Sequence, residues 1–179
     1  SDERISAVAQ IIKNAKKDNQ VIVVVSAMSG ETNRLINLAK SFGDNPDRRE
    51  FDALISTGEK VSASLLAMAL NSIGVKAKSF SASQISMKTT GHHSKAKIID
   101  VNVEKILATL NDDIVPIITG FQGVTESGDV TTLGRGGSDT TAVAIAAHVN
   151  ATRCDIYTDV DGIYTTDPRV VPEAKKLDS

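Results

Sequence analysis

The chain has no tryptophan, two tyrosines, four phenylalanines and one cysteine among 179 residues. With aromatics at 3% of the sequence, the core has to be built from Val, Ile, Leu and Ala. That aliphatic mix suits a sheet covered by helices. The single Cys154 cannot close an internal disulfide, so a reducing, cytoplasmic setting is expected. No apolar run approaches the roughly 18 residues expected of a membrane span. The opening residues, Ser1-Asp2-Glu3-Arg4, are not those of a signal peptide. Neither charge dominates: 20 Lys and Arg against 22 Asp and Glu leave a net charge of −2. A nucleic-acid partner therefore gains no electrostatic support. No internal repeat or low-complexity tract is present.

What is present is an alternation of helical and strand patterns. Residues 3–18 place Ile5, Val8, Ile11, Ile12 and Ala15 at helical spacing, with Ser1 or Asp2 as cap. Residues 20–25 read as a strand buried on both faces, followed by a small-residue loop, Ser26 to Gly30, and a helix from about Thr32 to Lys40. Asp44 to Asp47 forms a linker and helix start. A long helical stretch, 48–73, is interrupted near Thr57-Gly58-Glu59. Strands are expected at 75–80, 97–101 and 114–120, a helix at 103–111, and a hairpin over 124–133 turning at Ser127-Gly128-Asp129. Gly134 to Ser138 then opens an Ala-rich helix, 138–149, and 153–158 is expected to be a third buried strand with Cys154 as a small core residue. The fold class is α/β: a three-layer sandwich with a mostly parallel central sheet between helix layers, in one domain over 1–179.

Two segments concentrate polar chemistry. In Thr131 to Asp139 a strand end, a glycine turn and a helix start coincide. Helix N-termini bind anions, and Gly136, Gly137 and Ser138 let a phosphate or carboxylate approach the backbone. Arg135 offers a planar fork for a carboxylate, and Asp139 stands in the first helical turn. The bland alternative is a simple turn and helix start. The second segment, Thr158 to Arg169, follows the third expected strand, at the sheet edge where open α/β sheets bind ligands. Its carboxylates lack EF-hand spacing, so no calcium loop is assigned and no residue is taken as a metal ligand. A solvated loop is the alternative there. The loops at Ser26 to Asn33 and Ser56 to Lys60 are open to both structural and binding readings. His92 and His93 read as surface residues.

Taken together, Val24 to Asn33, Ser56-Thr57-Gly58-Glu59, Thr119-Gly120-Phe121, Thr132 to Asp139 and Tyr157 to Arg169 resemble, in order, the motif series of aspartate kinases within the amino acid kinase superfamily. The resemblance covers nearly the whole chain. It implies ATP-dependent phosphorylation of the side-chain carboxylate of L-aspartate, the first step toward lysine, threonine and methionine. It further implies that Glu59 binds the substrate amine, Arg135 binds its α-carboxylate, and Ser26 and Thr32 line the pocket. Asp139 would organise the catalytic centre, Thr158, Asp159, Tyr164 and Arg169 would contact ATP, and Mg2+ would bridge the phosphates. A homo-oligomer, or assembly with regulatory ACT-containing chains, is also implied. The family's N-terminal Lys-Phe-Gly-Gly-Thr-Ser strand, a downstream Gly-Ala-Lys-Val motif and the ACT domains are not in this sequence, so a piece cut at both ends, inactive by itself, is expected. The competing expectations are a kinase of another carboxylate, such as acetylglutamate, and a non-catalytic nucleotide-binding or assembly module.

Overall fold

The computed structural model describes residues 2–157. In order the elements are α1 (Asp2–Ala15), β1 (Val23–Val25), α2 (Glu31–Lys40), α3 (Arg48–Ile55), α4 (Thr57–Ser72), β2 (Ala77–Phe80), β3 (Met87–Thr89), β4 (Ile98–Val101), α5 (Glu104–Asn111), β5 (Val115–Thr119), β6 (Gln122–Val124), β7 (Val130–Thr132) and α6 (Gly137–His148).

Strand periodicity sorts the aliphatic residues into two cores. On one side of β1 and β5, Val23, Val25, Val115 and Ile117 meet Ala9 and Ile12 of α1 and Ala63, Leu66 and Leu70 of α4. On the other side, Val24 and Ile118 meet Phe80, Met87, Val101, Ile106 of α5 and Ile145 of α6. Successive strand side chains point to opposite faces, so unbroken runs such as Val23–Val25 serve both helix layers. The result is the three-layer α/β arrangement expected. Leu70 is fully buried, and truncating such a side chain typically costs ~2–5 kcal/mol.

The sheet is divided rather than continuous. β1, β5 and β2 form a parallel sheet in the order β1-β5-β2, and β4-β3-β6-β7 form a second, mixed sheet. In the second sheet β3 runs antiparallel to β4 and parallel to β6, while β6 and β7 are the expected hairpin. The strand β3, ahead of the polar loop, was not foreseen. β1 is shorter than expected and only half-buried, because among the described residues it pairs on one side alone. Gly120 N–H donates to the carbonyl of Val25, so the even-numbered residues of β5 face β1. Pro116, which has no N–H to give, falls just where the β1 ladder starts at Val23.

Two other expectations are corrected. Residues 153–157 form no strand and are exposed, Cys154 included, since no strand among the described residues pairs with them. The stretch Arg48–Ser72 is, by length and composition alone, long and apolar enough to cross a membrane, but half of it is buried inside the fold, as befits a core helix.

Candidate functional site

Strands β1 and β5 end side by side, with Val25 paired to Thr119. The loops that leave them carry the small residues of the site. After β1, Ser26 to Gly30 leads into α2; after β5, Gly120 and Phe121 lead into β6. Both loops are pressed upon by helix starts. A Cβ on Gly58, at the beginning of α4, would lie 2.8 Å from Cβ of Ala27. A Cβ on Gly120 would lie 2.8 Å from Cβ and Oγ of Ser138 and 3.0 Å from its Cα. Glycine is required at both positions by close approach rather than by backbone angle.

Three helices therefore begin at this edge: α2, α4 and α6. None has a side-chain cap. The N–H of Glu31 is taken by the carbonyl of Met28 and that of Gly137 by the carbonyl of Gly134, while the positive dipole ends still favour an anion. α3, by contrast, is capped by Asp47, which accepts from Glu50 N–H. Gly136 takes φ 71° to start α6. Phe121, not a glycine, also has a positive φ of 68°. It is held there because its N–H donates to Thr141 Oγ1 at 3.2 Å and its carbonyl accepts from Leu133 N–H at 2.9 Å. A strained non-glycine residue of this kind persists only where its surroundings fix it.

Glu59 is the acid of this edge. It stands in the first turn of α4 and is 2% exposed. Its Oε1 accepts from Ala27 N–H at 3.1 Å, while Oε2 is buried with no hydrogen-bond partner. Burial pushes its carboxyl up to about 7, against the lowering effect of the backbone N–H groups. A buried carboxylate oxygen with nothing to bind is a receptor for a cation, and a primary ammonium suits a single oxygen.

The remaining expected residues divide into two groups. Thr32, half-buried, and Ser26, exposed, flank the Ala27 loop, and Gly137 and Ser138 reach the same edge through Gly120 and Phe121. Arg135, Gly136 and Asp139 are exposed, and no hydrogen bond or ion pair among the described residues joins Arg135 or Asp139 to Glu59. Asp139 instead borders an open groove of about 760 Å³ between β4 and α6, lined with Ile98, Ile99 and Val143. Thr158, Asp159, Tyr164 and Arg169 lie outside the described residues.

Two residues were missed from the sequence. Asp52 is fully buried and accepts from Ser94 and Thr132. His93, expected at the surface, is partly buried with Nδ1 3.0 Å from Asp52 Oδ2. Asp52 sits 41 residues from His93 and 80 from Thr132. Helical periodicity around Phe51 and Ile55 marks the face it shares but says nothing of its partners.

Comparison with known proteins bears on this arrangement. The sequence profile of the amino acid kinase family matches residues 1–179. The chain is 53% identical over 179 residues to an aspartate kinase of Pseudomonas putida, spanning 99% of this chain and 44% of that protein. It is 51% identical to an aspartokinase of Geobacillus stearothermophilus, with 99% and 44% covered. Among solved structures, aspartokinase III of E. coli in complex with aspartate and ADP superposes with TM-score 0.82 at 30% identity, covering 98% of this chain and 49% of that one. Aspartate kinase from Synechocystis superposes with TM-score 0.76 at 46% identity, covering 98% and 29%. The chain spans less than half the length of these curated relatives.

Proposed function

This chain belongs to the amino acid kinase family, and we propose that it forms most of the catalytic core of an aspartate kinase, which transfers the γ-phosphoryl group of ATP to the side-chain carboxylate of L-aspartate. The observation that carries the reading is Glu59: a buried carboxylate with one unpartnered oxygen, set among three uncapped helix starts. Aspartate is an ammonium flanked by two carboxylates. Its site needs one anion for the amine and positive charge or N–H donors for the rest.

In this reading Glu59 takes the ammonium and Arg135 forks onto the α-carboxylate, with Ser26 and Thr32 at the pocket wall. The glycine turn at Gly136 and Gly137, with Ser138, receives the phosphate in transfer, and Asp139 orders the centre from the first turn of α6. Thr158, Asp159, Tyr164 and Arg169 hold the nucleotide. The acceptor needs no general base, because a carboxylate of pKa about 4 is already ionised and nucleophilic at neutral pH. Its oxygen attacks the γ-phosphorus, the bond to the β,γ-bridging oxygen breaks, and ADP leaves. The protein contributes alignment and neutralisation of spreading charge. Among the described residues no three His, Cys, Asp or Glu side chains converge to cage a metal. Magnesium fits as a companion of the nucleotide, since it takes its ligands chiefly from phosphate oxygens and water. The product is an acyl phosphate, 4-phospho-L-aspartate, on the route to lysine, threonine and methionine. ATP and a free amino acid as substrates suit a cytoplasmic enzyme, and the likeness to aspartate kinases supports a homo-oligomer or assembly with regulatory chains.

The test is hydroxylamine trapping with ATP and Mg2+, using the full-length protein and a panel of aspartate, glutamate and acetylglutamate. Hydroxamate from aspartate alone is expected. Hydroxamate from another acid would move the protein elsewhere in the family, and none with any acid would favour a binding or assembly role.

A further inference from the structure

Asp52 lies on α3, within eight residues of Glu59, and is fully buried. Its carboxylate accepts five hydrogen bonds. Oδ2 takes the N–H of Thr132 at 3.0 Å, the N–H of Ser94 at 2.9 Å and Nδ1 of His93 at 3.0 Å. Oδ1 takes the hydroxyls of Thr132 at 2.7 Å and Ser94 at 3.1 Å. The two oxygens have no capacity left for a ligand. Their partners lie on two segments of the second sheet, the end of β7 and the loop before β4, so Asp52 ties α3 to both. The carbonyl of Thr132 is engaged too, by Ala96 N–H at 2.9 Å. A second tie runs parallel, from Gln122 Nε2 of β6 to the carbonyl of Ser56 at 2.9 Å.

Both ties join the α3–α4 junction to the β6–β7 hairpin. One side of that joint continues through Ser56 into Glu59. The other continues from Thr132 through Leu133 and Gly134 into Arg135, on a loop with glycines at positive φ on either side. Left to itself, such a loop would not hold a guanidinium at a fixed place. We infer that Asp52 is a positioning residue: it fixes the span between Glu59 and Arg135, and hence the fit of the amino-acid substrate, without touching that substrate. The inference rests on the proposed roles of Glu59 and Arg135.

The hydrogen-bond pattern supplies its own control. In Asp52→Asn the amide carbonyl can stand where Oδ2 stands, facing three N–H donors. Its NH2 group then faces two hydroxyls, which can rotate to accept. Asp52→Asn therefore keeps the geometry and loses only the charge, whereas Asp52→Ala loses both. In the full-length protein Asp52→Ala is expected to raise the KM for aspartate at least tenfold and leave the KM for ATP within twofold. Asp52→Asn should recover most of that loss. Hydrogen–deuterium exchange should rise together in residues 54–60 and 131–136 of the Ala variant. Equal changes in both KM values, an Asn variant as impaired as the Ala variant, or exchange rising on one side of the joint alone would overturn the inference. Should Asp52→Ala not fold, Thr132→Val removes one hydroxyl bond and decides the matter by the same KM split. Should the wild type not use aspartate at all, the proposed function fails, while the exchange measurement still judges the joint.

Discussion

The N–H of Ala27 donates to Oε1 of Glu59 at 3.1 Å and leaves Oε2 buried without a partner. Burial raises the carboxyl of Glu59 from an ordinary 4.5 to about 7, against the lowering effect of the Ala27 N–H. The folded protein holds a proton that the unfolded chain gives up above pH 4.5. The resulting stability is fully present below that pH and is lost as pH rises through 7. Urea unfolding of the wild type and Glu59→Gln at pH 5 and pH 8 checks it. The stability gap between wild type and variant should be more favourable to the wild type at pH 5 by about 2 kcal/mol. A gap independent of pH would mean that Glu59 is ionised throughout.

The same proton bears on substrate. An ammonium set against Oε2 needs the ionised carboxylate, so binding in the acid range has to expel the proton first. The apparent affinity for aspartate should rise about tenfold from pH 6 to pH 8 and level off above that. Calorimetric titration in two buffers of different ionisation enthalpy would show proton release at pH 6 and little at pH 8. An affinity unchanged over this range would remove Glu59 from the amine site.

Gly58 is a helical glycine, and replacing one by alanine ordinarily stabilises a helix by ~1 kcal/mol. Here the added methyl would meet Ala27 Cβ at 2.8 Å, with Glu31 Cγ at 3.4 Å behind it. Gly58→Ala should therefore destabilise, by ~1–3 kcal/mol, and shift the Ala27 amide away from Glu59. The clash is between two methyl groups, so Ala27→Gly should rescue it. A double-mutant cycle read by thermal unfolding is expected to give a favourable coupling above ~1 kcal/mol. Without coupling, the contact is not what restricts this position.

Much of this arrangement was legible in the sequence for physical reasons. The helix interruption expected near Thr57-Gly58-Glu59 falls at Ser56, between α3 and α4, the glycine turn from Gly134 does open α6, and the run Val115 to Thr119 is largely apolar because both its faces are covered. What escaped depends on partners distant in the chain. Asp52 reads as a polar residue in an amphipathic helix, and its burial depends on His93 and Ser94, 41 and 42 residues on, and Thr132, 80 residues on. Cys154 and its neighbours carry a strand's composition, but a strand exists through pairing, and none of the described residues pairs there. The short β3 escaped because three residues, Met87 to Thr89, show too little alternation to register.

Gly120 tests whether the start of α6 and the end of β5 act as one unit. Its position leaves no room for a methyl group: Cβ and Oγ of Ser138 would lie at 2.8 Å and Cα at 3.0 Å. The Ser138 hydroxyl can turn away, but its Cβ and Cα cannot, so the helix start itself has to move. Phe121 resists that movement, since its N–H is held by Thr141 on α6 and its ring lies against Gly137. Gly120→Ala is expected to destabilise by ~1–3 kcal/mol. If the Ser138 N–H at the start of α6 holds the moving phosphate, the displacement should also lower kcat by tenfold or more, because donors act on a transferring group only within a narrow range of distance. The KM for aspartate should rise as well, since Arg135 stands two residues before the displaced start of α6. Steady-state kinetics of the folded variant measures both. A lowered stability with unchanged kcat would leave the contact structural and put the phosphate elsewhere.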